Sequence, residues 1–238
     1  MSVSLDSALP DPRATRRSFD RATSFDAASF AHDETRRRLL ERLDLFDLAP
    51  RVAVDLGCAT GRGAVAVAGR YPAARVLAVD SSAGMLRAAR RRVAAVPSVA
   101  ALGGDAERLP LRDHSVQLVL ANLVLPWCRP PALFAEAART LEEGGLLLFA
   151  TLGPDSFKEL RAAWGAVDSA LHVHAAFDLH DVGDLALAGG GNAARFAITL
   201  ELVLGQAWGR GSRPTRRSQG SGEIAVPLAT LRRRSSRQ

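Results

Sequence analysis

The residues able to do chemistry in this 238-residue chain stand at the ends of short apolar runs. Arg51-Val-Ala-Val-Asp55 runs directly into Leu56-Gly57-Cys58-Ala59-Thr60-Gly61, a turn whose glycines let a ligand come close to the backbone. A carboxylate at the head of such a turn repels a pyrophosphate. It suits a cationic ligand instead, one carrying a sulfonium and an ammonium. Asp80 closes the next run, Arg75-Val-Leu-Ala-Val-Asp80, 23 residues after Gly57. That is close to the roughly 20-residue spacing of a ribose-binding acid, whose carboxylate accepts from both ribose hydroxyls; the alternative for Asp80 is a helix N-cap. Gly104-Asp105-Ala106 follows a third run, where Asp105 and Ala106 could meet an adenine amino group or Asp105 could cap a helix. Asn122 and Leu123 end a fourth, at the reactive end of such a ligand. Cys58 reads as packing in the turn rather than as a nucleophile.

The elements that must position these groups follow from periodicity. Strands are expected at 51–55, 75–80, 99–104, 116–124 and 146–152, with helices over 62–70, 83–95 and 130–141. Met85, Leu86, Ala89 and Val93 form the inner face of the second helix, and Gly144-Gly145 ends the third. Pro130 and Pro131 open that third helix, since proline suits a first turn. Residues 13–46 read as two helices broken near Ser24. Strand and helix alternate at βαβ spacing, which implies an α/β fold, a mostly parallel sheet of about six strands with helices on both faces. All the chemically useful residues then share the rim at the strands' C-terminal ends.

On these residues the chain resembles the class I S-adenosylmethionine (SAM)-dependent methyltransferases over roughly residues 50–152. Asp55-x-Gly57-x-Ala59-x-Gly61 is similar to their first motif, with alanine in place of the usual middle glycine. A narrower resemblance rests on five segments: Arg17-Ser-Phe-Asp-Arg-Ala22, Asp105-Ala-Glu-Arg-Leu-Pro110, Asn122-Leu-Val-Leu-Pro-Trp127-Cys128, Gly153-Pro-Asp-Ser-Phe-Lys-Glu-Leu-Arg161 and Asp178-Leu-His-Asp-Val-Gly-Asp184. Together they resemble the malonyl-acyl-carrier-protein O-methyltransferases of biotin synthesis. A complex I assembly relative, a protein-arginine hydroxylase, shares parts of the pattern, and a degenerate SAM-binding or nucleic-acid-binding protein is the remaining alternative. The resemblance implies SAM as cofactor, held by Asp55, Gly57, Ala59, Gly61, Asp80, Met85, Asp105, Ala106, Asn122 and Leu123. It also implies a malonyl-carrying acyl carrier protein as partner, methylated on its free carboxylate. A carboxylate is ionised at pH 7 and needs alignment rather than a base, so no Ser/His/Asp or Cys/His set is required and no catalytic residue is assigned. Phe25, Trp127, Lys158 and Arg161 are the expected substrate-binding residues, the last two as cations for the carboxylate.

Two departures from that pattern stand out. The family usually has tyrosine where this chain has Phe25, which keeps the ring and loses the hydroxyl. Several dozen residues expected between Asp184 and Arg195-Phe-Ala-Ile-Thr-Leu-Glu-Leu-Val203 are absent, bridged by Gly189-Gly-Gly-Asn192. The family's sixth strand would lie in that gap. Residues 196–203 then become an edge strand, expected to pair antiparallel with 146–152 in the order 3-2-1-4-5-7 and to favour self-association.

Composition bounds the rest. Hydrophobic residues make up 47%, as in a soluble globular protein, and no apolar run is long enough to span a membrane. Two cysteines, Cys58 and Cys128, are too few for a disulfide scaffold or metal site, and a reducing cytoplasm is expected. His172, His174 and His180 lack paired carboxylates and read as caps or hydrogen-bond partners, so no metal is expected. The net charge of +6 divides unevenly: residues 209–238 hold eight arginines and one acid, Glu223. No aromatic is interleaved among Arg210, Arg213, Arg216 and Arg217, so a solvated tail is expected rather than a nucleic-acid surface. The expected organisation is a leader over 1–12 and a methyltransferase domain over 13–208. Within that domain lie N-terminal helices (13–46), a cofactor core (50–152) and a shortened substrate region (153–208). A basic tail over 209–238 completes the chain.

Overall fold

The computed structural model describes residues 9–168, residues 182, 184, 185 and 188, and the backbone of 195–201. Expectations placed on His172, His174, His180, the 189–192 bridge, the side-chain alternation of 196–203 and the 209–238 tail lie outside the described residues. The chain divides into two units, Met1–Val203 and Leu204–Gln238, and every described residue belongs to the first.

The strands are β1 (Val52–Leu56), β2 (Arg75–Asp80), β3 (Val99–Gly103), β4 (Val116–Asn122), β5 (Leu141–Leu152) and β6 (Arg195–Glu201), in the sheet order β3-β2-β1-β4-β5-β6. All five neighbouring pairs are parallel. Successive side chains point to opposite faces, and the core divides accordingly. On one face Ala53, Val76, Ala78, Leu118 and Leu148 meet Leu39, Ala64, Val67, Leu86 and Ala89, from helices α3 (Phe30–Arg42), α4 (Arg62–Arg70) and α5 (Ala83–Val93). On the other, Val54, Val79, Val119, Leu147 and Phe149 meet Leu133, Phe134 and Ala137 of α6 (Pro130–Thr140), and Val182 is buried there too. The inner face expected for α5, Met85, Leu86, Ala89 and Val93, is buried.

Three expectations are corrected. The last strand runs parallel to β5, pairing Leu146 with Arg195 and Leu152 with Glu201. Its connection from β5 contains α7 (Lys158–Gly165) and returns the chain to the sheet's starting end, as a parallel neighbour requires; an antiparallel one needs a hairpin or an extra strand. Second, Gly144 and Gly145 lie inside β5 rather than ending a helix. The β4 partner jumps from Leu141 to Leu146, and Gly144 takes up this irregularity at φ 76°. Third, order begins before residue 13. Helix α1 (Pro12–Arg21) starts on a proline, and the Asp11 carboxylate caps it by accepting from the N–H groups of Arg13 and Ala14. The break near Ser24 is present, with a short helix α2 (Phe25–Ala28) between α1 and α3. Among the described residues no helix is long and apolar enough to cross a membrane.

Candidate active site

The parallel sheet puts the ends of β1, β2, β3 and β4 on one rim, and a pocket opens there. Gly57, Ala59, Asp80, Asp105, Ala106, Asn122 and Leu123 line it together, so seven of the ten expected cofactor residues converge. Gly57 sits at φ 65°, and a Cβ built there would stand 2.5 Å from Val124 Cγ2, so both conformation and space demand glycine. Ala59 adopts φ 47°, a left-handed conformation that costs an L-residue free energy. Its N–H donates to Asp80 Oδ2 at 2.8 Å while the N–H of Ser82 donates to Oδ1 at 2.8 Å, so Asp80 joins the β1 and β2 turns. Burial raises the Asp80 pKa above the ordinary carboxylate value, with those N–H groups pulling the other way.

Asp55 lies behind the turn and lines a second, adjoining recess with Gly57, Ala59 and Asn122. Complete burial pushes its pKa up to about 7, opposed by the N–H of Ala64. A Cβ on Gly63 would fall 2.6 and 2.7 Å from the Asp55 oxygens, so the glycine after Arg62 gives this carboxylate its space. Asp55 Oδ2 and Asn122 Oδ1 are buried without a hydrogen-bond partner, whereas the Asn122 amide donates to the His32 carbonyl at 2.9 Å. A recess holding a carboxylate and a free amide oxygen is acceptor-rich, matched to a ligand that brings N–H donors and positive charge. Cys58 is buried and its thiol pKa is pushed well up by burial and the nearby carboxylates, so it does not act as a thiolate.

The remaining expected residues lie elsewhere. Gly61, at φ 84°, is where a Cβ would stand 3.3 Å from Ala89, so the glycine lets α4 sit close on α5, away from the pocket. Met85 is buried and lines a neighbouring groove instead. Phe25 and Trp127 do line the pocket. Lys158 and Arg161 do not: Lys158 is exposed, and the Arg161 guanidinium donates to the carbonyls of Pro154 and Ser156, tying down its own loop.

Sequence reasoning missed the roof: it took the segment up to Ser24 as a helix but gave that helix no part in the site. Pro12, Thr15, Arg16 and Phe19 occupy one face of α1 and line the pocket. The Phe19 ring meets Trp127 edge-on, centroids 5.2 Å apart, and Phe25 meets His32 at 5.1 Å. Polar bonds fasten this roof. Asp20 Oδ1 accepts from Ser82 Oγ at 2.7 Å and from Gly84 N at 2.9 Å. Asp26 accepts from Thr60 Oγ and from Arg92, each at 2.6 Å. Burial opposes ionisation of Asp26, but the bonds from Arg92 and Thr60 outweigh it and hold the pKa below the usual value.

A parallel sheet of this order, a glycine turn after β1 and an acid closing β2 define a Rossmann-like fold, and similarity to known proteins places it among the class I SAM-dependent methyltransferases. The Methyltransferase domain family matches residues 54–149. Among solved structures, the methyltransferase crystallised with the Trm112 activator of Haloferax volcanii superposes with a TM-score of 0.59 over 74% of this chain and 75% of that one, at 23% identity. A SAM-dependent methyltransferase from Thermotoga maritima gives 0.55 over 72% and 78%, at 26% identity. The cofactor of this class is S-adenosylmethionine.

Sequence relatives narrow the class. The malonyl-[acyl-carrier protein] O-methyltransferase of Methylovorus sp. is 40% identical over 216 residues, 85% of this chain and 73% of that protein. That of Halorhodospira halophila is 31% identical, over 94% and 96%. The chain belongs to the malonyl-[acyl-carrier protein] O-methyltransferase family. It spans less than two thirds of the length of several other relatives, 65% for that of Gallionella capsiferriformans. The alignment with the Halorhodospira protein runs 285 positions, more than the 238 residues here, so at least 47 aligned positions of that relative, in total, have no counterpart in this chain.

Proposed function

We propose that the chain transfers the methyl group of SAM to the free malonyl carboxylate of malonyl-acyl carrier protein, a cytoplasmic step of biotin synthesis. The observation that carries this reading is the acceptor-rich rim of Asp80, Asp55 and Asn122, set in a chain whose relatives bear that name. Asp80 would accept from the ribose hydroxyls, and Asp105 with Ala106 would border the adenine. Asp55 and Asn122 would face the cationic methionine end, with Gly57 and Ala59 beneath it and Leu123 beside it. SAM supplies an electrophilic methyl. The protein's part is to align the carboxylate oxygen with it and to exclude water, for which the Phe19, Phe25 and Trp127 roof is built. No base is needed, because the nucleophile is already ionised. The relatives favour this reaction over arginine hydroxylation. Incubation with SAM and malonyl-acyl carrier protein should yield the methyl ester, a mass gain of one CH2. Gain of one oxygen on a protein arginine, or no product at all, would refute the reading.

A further inference from the structure

Helices α1 and α5 pack together where the Asp20 backbone closes on Gly84, a contact so tight that a Cβ at 84 would stand 2.5 Å from the Asp20 carbonyl oxygen. Their outer surfaces therefore form one continuous face. Arg13, Arg17 and Arg21 recur every fourth residue on α1, and Arg87 and Arg91 do so on α5, and all five are exposed. Acids of the same region are engaged elsewhere. Asp20 turns inward to Ser82 and Gly84, Asp26 is held by Arg92 and Thr60, and Asp11 caps α1 with Arg17 at 4.0 Å. Arg87 acts on Asp20 only through charge, at longer range than an ion pair, and among the described residues no ion pair is formed by Arg13, Arg21 or Arg91. Five exposed guanidinium groups, none in a close ion pair and only Arg17 within 4.0 Å of a carboxylate, are a field for an anionic partner rather than a stabilising network.

The place of this face matters as much as its charge. Arg87 and Arg91 line a groove whose wall is Phe19 and Phe25, and the same two rings line the cofactor pocket. One layer of side chains separates the basic groove from the methyl-transfer site. We infer that the α1–α5 arginine face is the docking surface for the carrier protein, an acidic partner that presents its acyl arm to the pocket past the Phe19–Phe25 wall. This rests on the proposed reaction, since a small free acid would need no such surface. It also gives the arginines of α1 a role that the core does not, because α1 has no buried residue.

The test replaces Arg17, Arg21, Arg87 and Arg91 together by Glu, with a Gln version alongside in case four reversals impair folding; unchanged SAM affinity certifies either one. Two acyl donors are compared: malonyl-acyl carrier protein, and malonyl-pantetheine, which has the arm without the protein. The expected result is a loss of at least tenfold in kcat/KM for the carrier-bound donor and none for malonyl-pantetheine. The steep salt dependence of the parent protein should vanish as well. Equal losses on both donors, or no loss on the carrier, would overturn the inference. If the parent protein methylates neither donor, the proposed reaction fails, and docking is judged by titrating labelled holo-acyl carrier protein. Binding by the parent but not by the variants sustains the surface. Absence of binding, or tighter binding of single-stranded RNA, overturns it.

Discussion

Ala59 is one of four described non-glycine residues with a left-handed backbone, and it lies in the turn after β1. At φ 47° an L-residue pays about 1–2 kcal/mol relative to glycine. Replacing Ala59 with glycine removes that strain but also loosens the unfolded chain, which costs about 0.4–1 kcal/mol. The difference leaves the Ala59→Gly protein more stable by about 0.5–1 kcal/mol. For a domain of this size that is a rise of roughly 1–4 °C in Tm. The N–H that donates to Asp80 is a backbone group and survives the change, so the join between the two turns is kept. Because the methyl lines the pocket, its removal also gives the cofactor space, and SAM affinity should be equal or tighter. Urea and thermal unfolding with and without SAM read both effects. A fall in Tm, or weaker SAM binding with Tm unchanged, would show that the turn relaxes onto the methyl and that the left-handed geometry is not strained.

Two further substitutions test the carboxylates. Asp80→Asn keeps one acceptor oxygen for the turn but removes the charge offered to the ribose, and should weaken SAM by about tenfold or more in calorimetry; unchanged affinity would remove Asp80 from the site. Burial holds the Asp55 pKa near 7, above its ordinary 3.8, so ionising it opposes folding as pH rises between those values. A cation bound beside it reverses this cost. SAM affinity should therefore rise up to about tenfold from pH 6 to pH 8 and level off above, and Asp55→Asn should flatten that profile by removing the Asp55 contribution, leaving any from Asp80. A rise that persists undiminished in the variant would place the titration elsewhere.

The cofactor half of the molecule was legible because its signals are local. The runs that became β1, β2 and β4 carry the candidate site residues at or next to their ends, and the helix expected over 62–70 is α4 to the residue. What escaped depends on contacts distant in sequence. Gly63 looks like an ordinary helical residue until the Asp55 carboxylate is seen pressing on it. Arg161 reads as a carboxylate anchor by charge and position, but the carbonyls of Pro154 and Ser156 claim it first. The Asp26–Thr60–Arg92 cluster joins residues up to 66 positions apart, with no motif to announce it. The direction of β6 was misjudged by carrying over the complete fold. A parallel neighbour needs a crossover back to the sheet's starting end, and the connection from β5 to β6 contains α7.

Phe25 stands where the family resemblance leads one to expect a tyrosine, and that expectation can be tested. Its ring lines both the pocket and the Asp55 recess, wedged between Phe19 and His32. The same recess holds Asn122 Oδ1, buried and unpartnered, and an unsatisfied acceptor of that kind costs about 1–3 kcal/mol. Phe25→Tyr puts a donor hydroxyl on a ring already facing that space, and the ring contacts are conserved by the change. If the recess accepts the hydroxyl, a bond to Asn122 or to the bound ligand should follow, and a net hydrogen bond of about 0.5–1.5 kcal/mol corresponds to SAM binding roughly two- to tenfold tighter. Phe25→Leu, which lacks both ring and hydroxyl, should bind more weakly than the parent and separates packing from hydrogen bonding. Tighter binding by the tyrosine variant with unfolding temperature held or raised would mean that the pocket keeps the geometry for a hydroxyl it lacks. Weaker binding would mean that the roof has closed around phenylalanine, and that the Asn122 oxygen is satisfied by the cofactor alone.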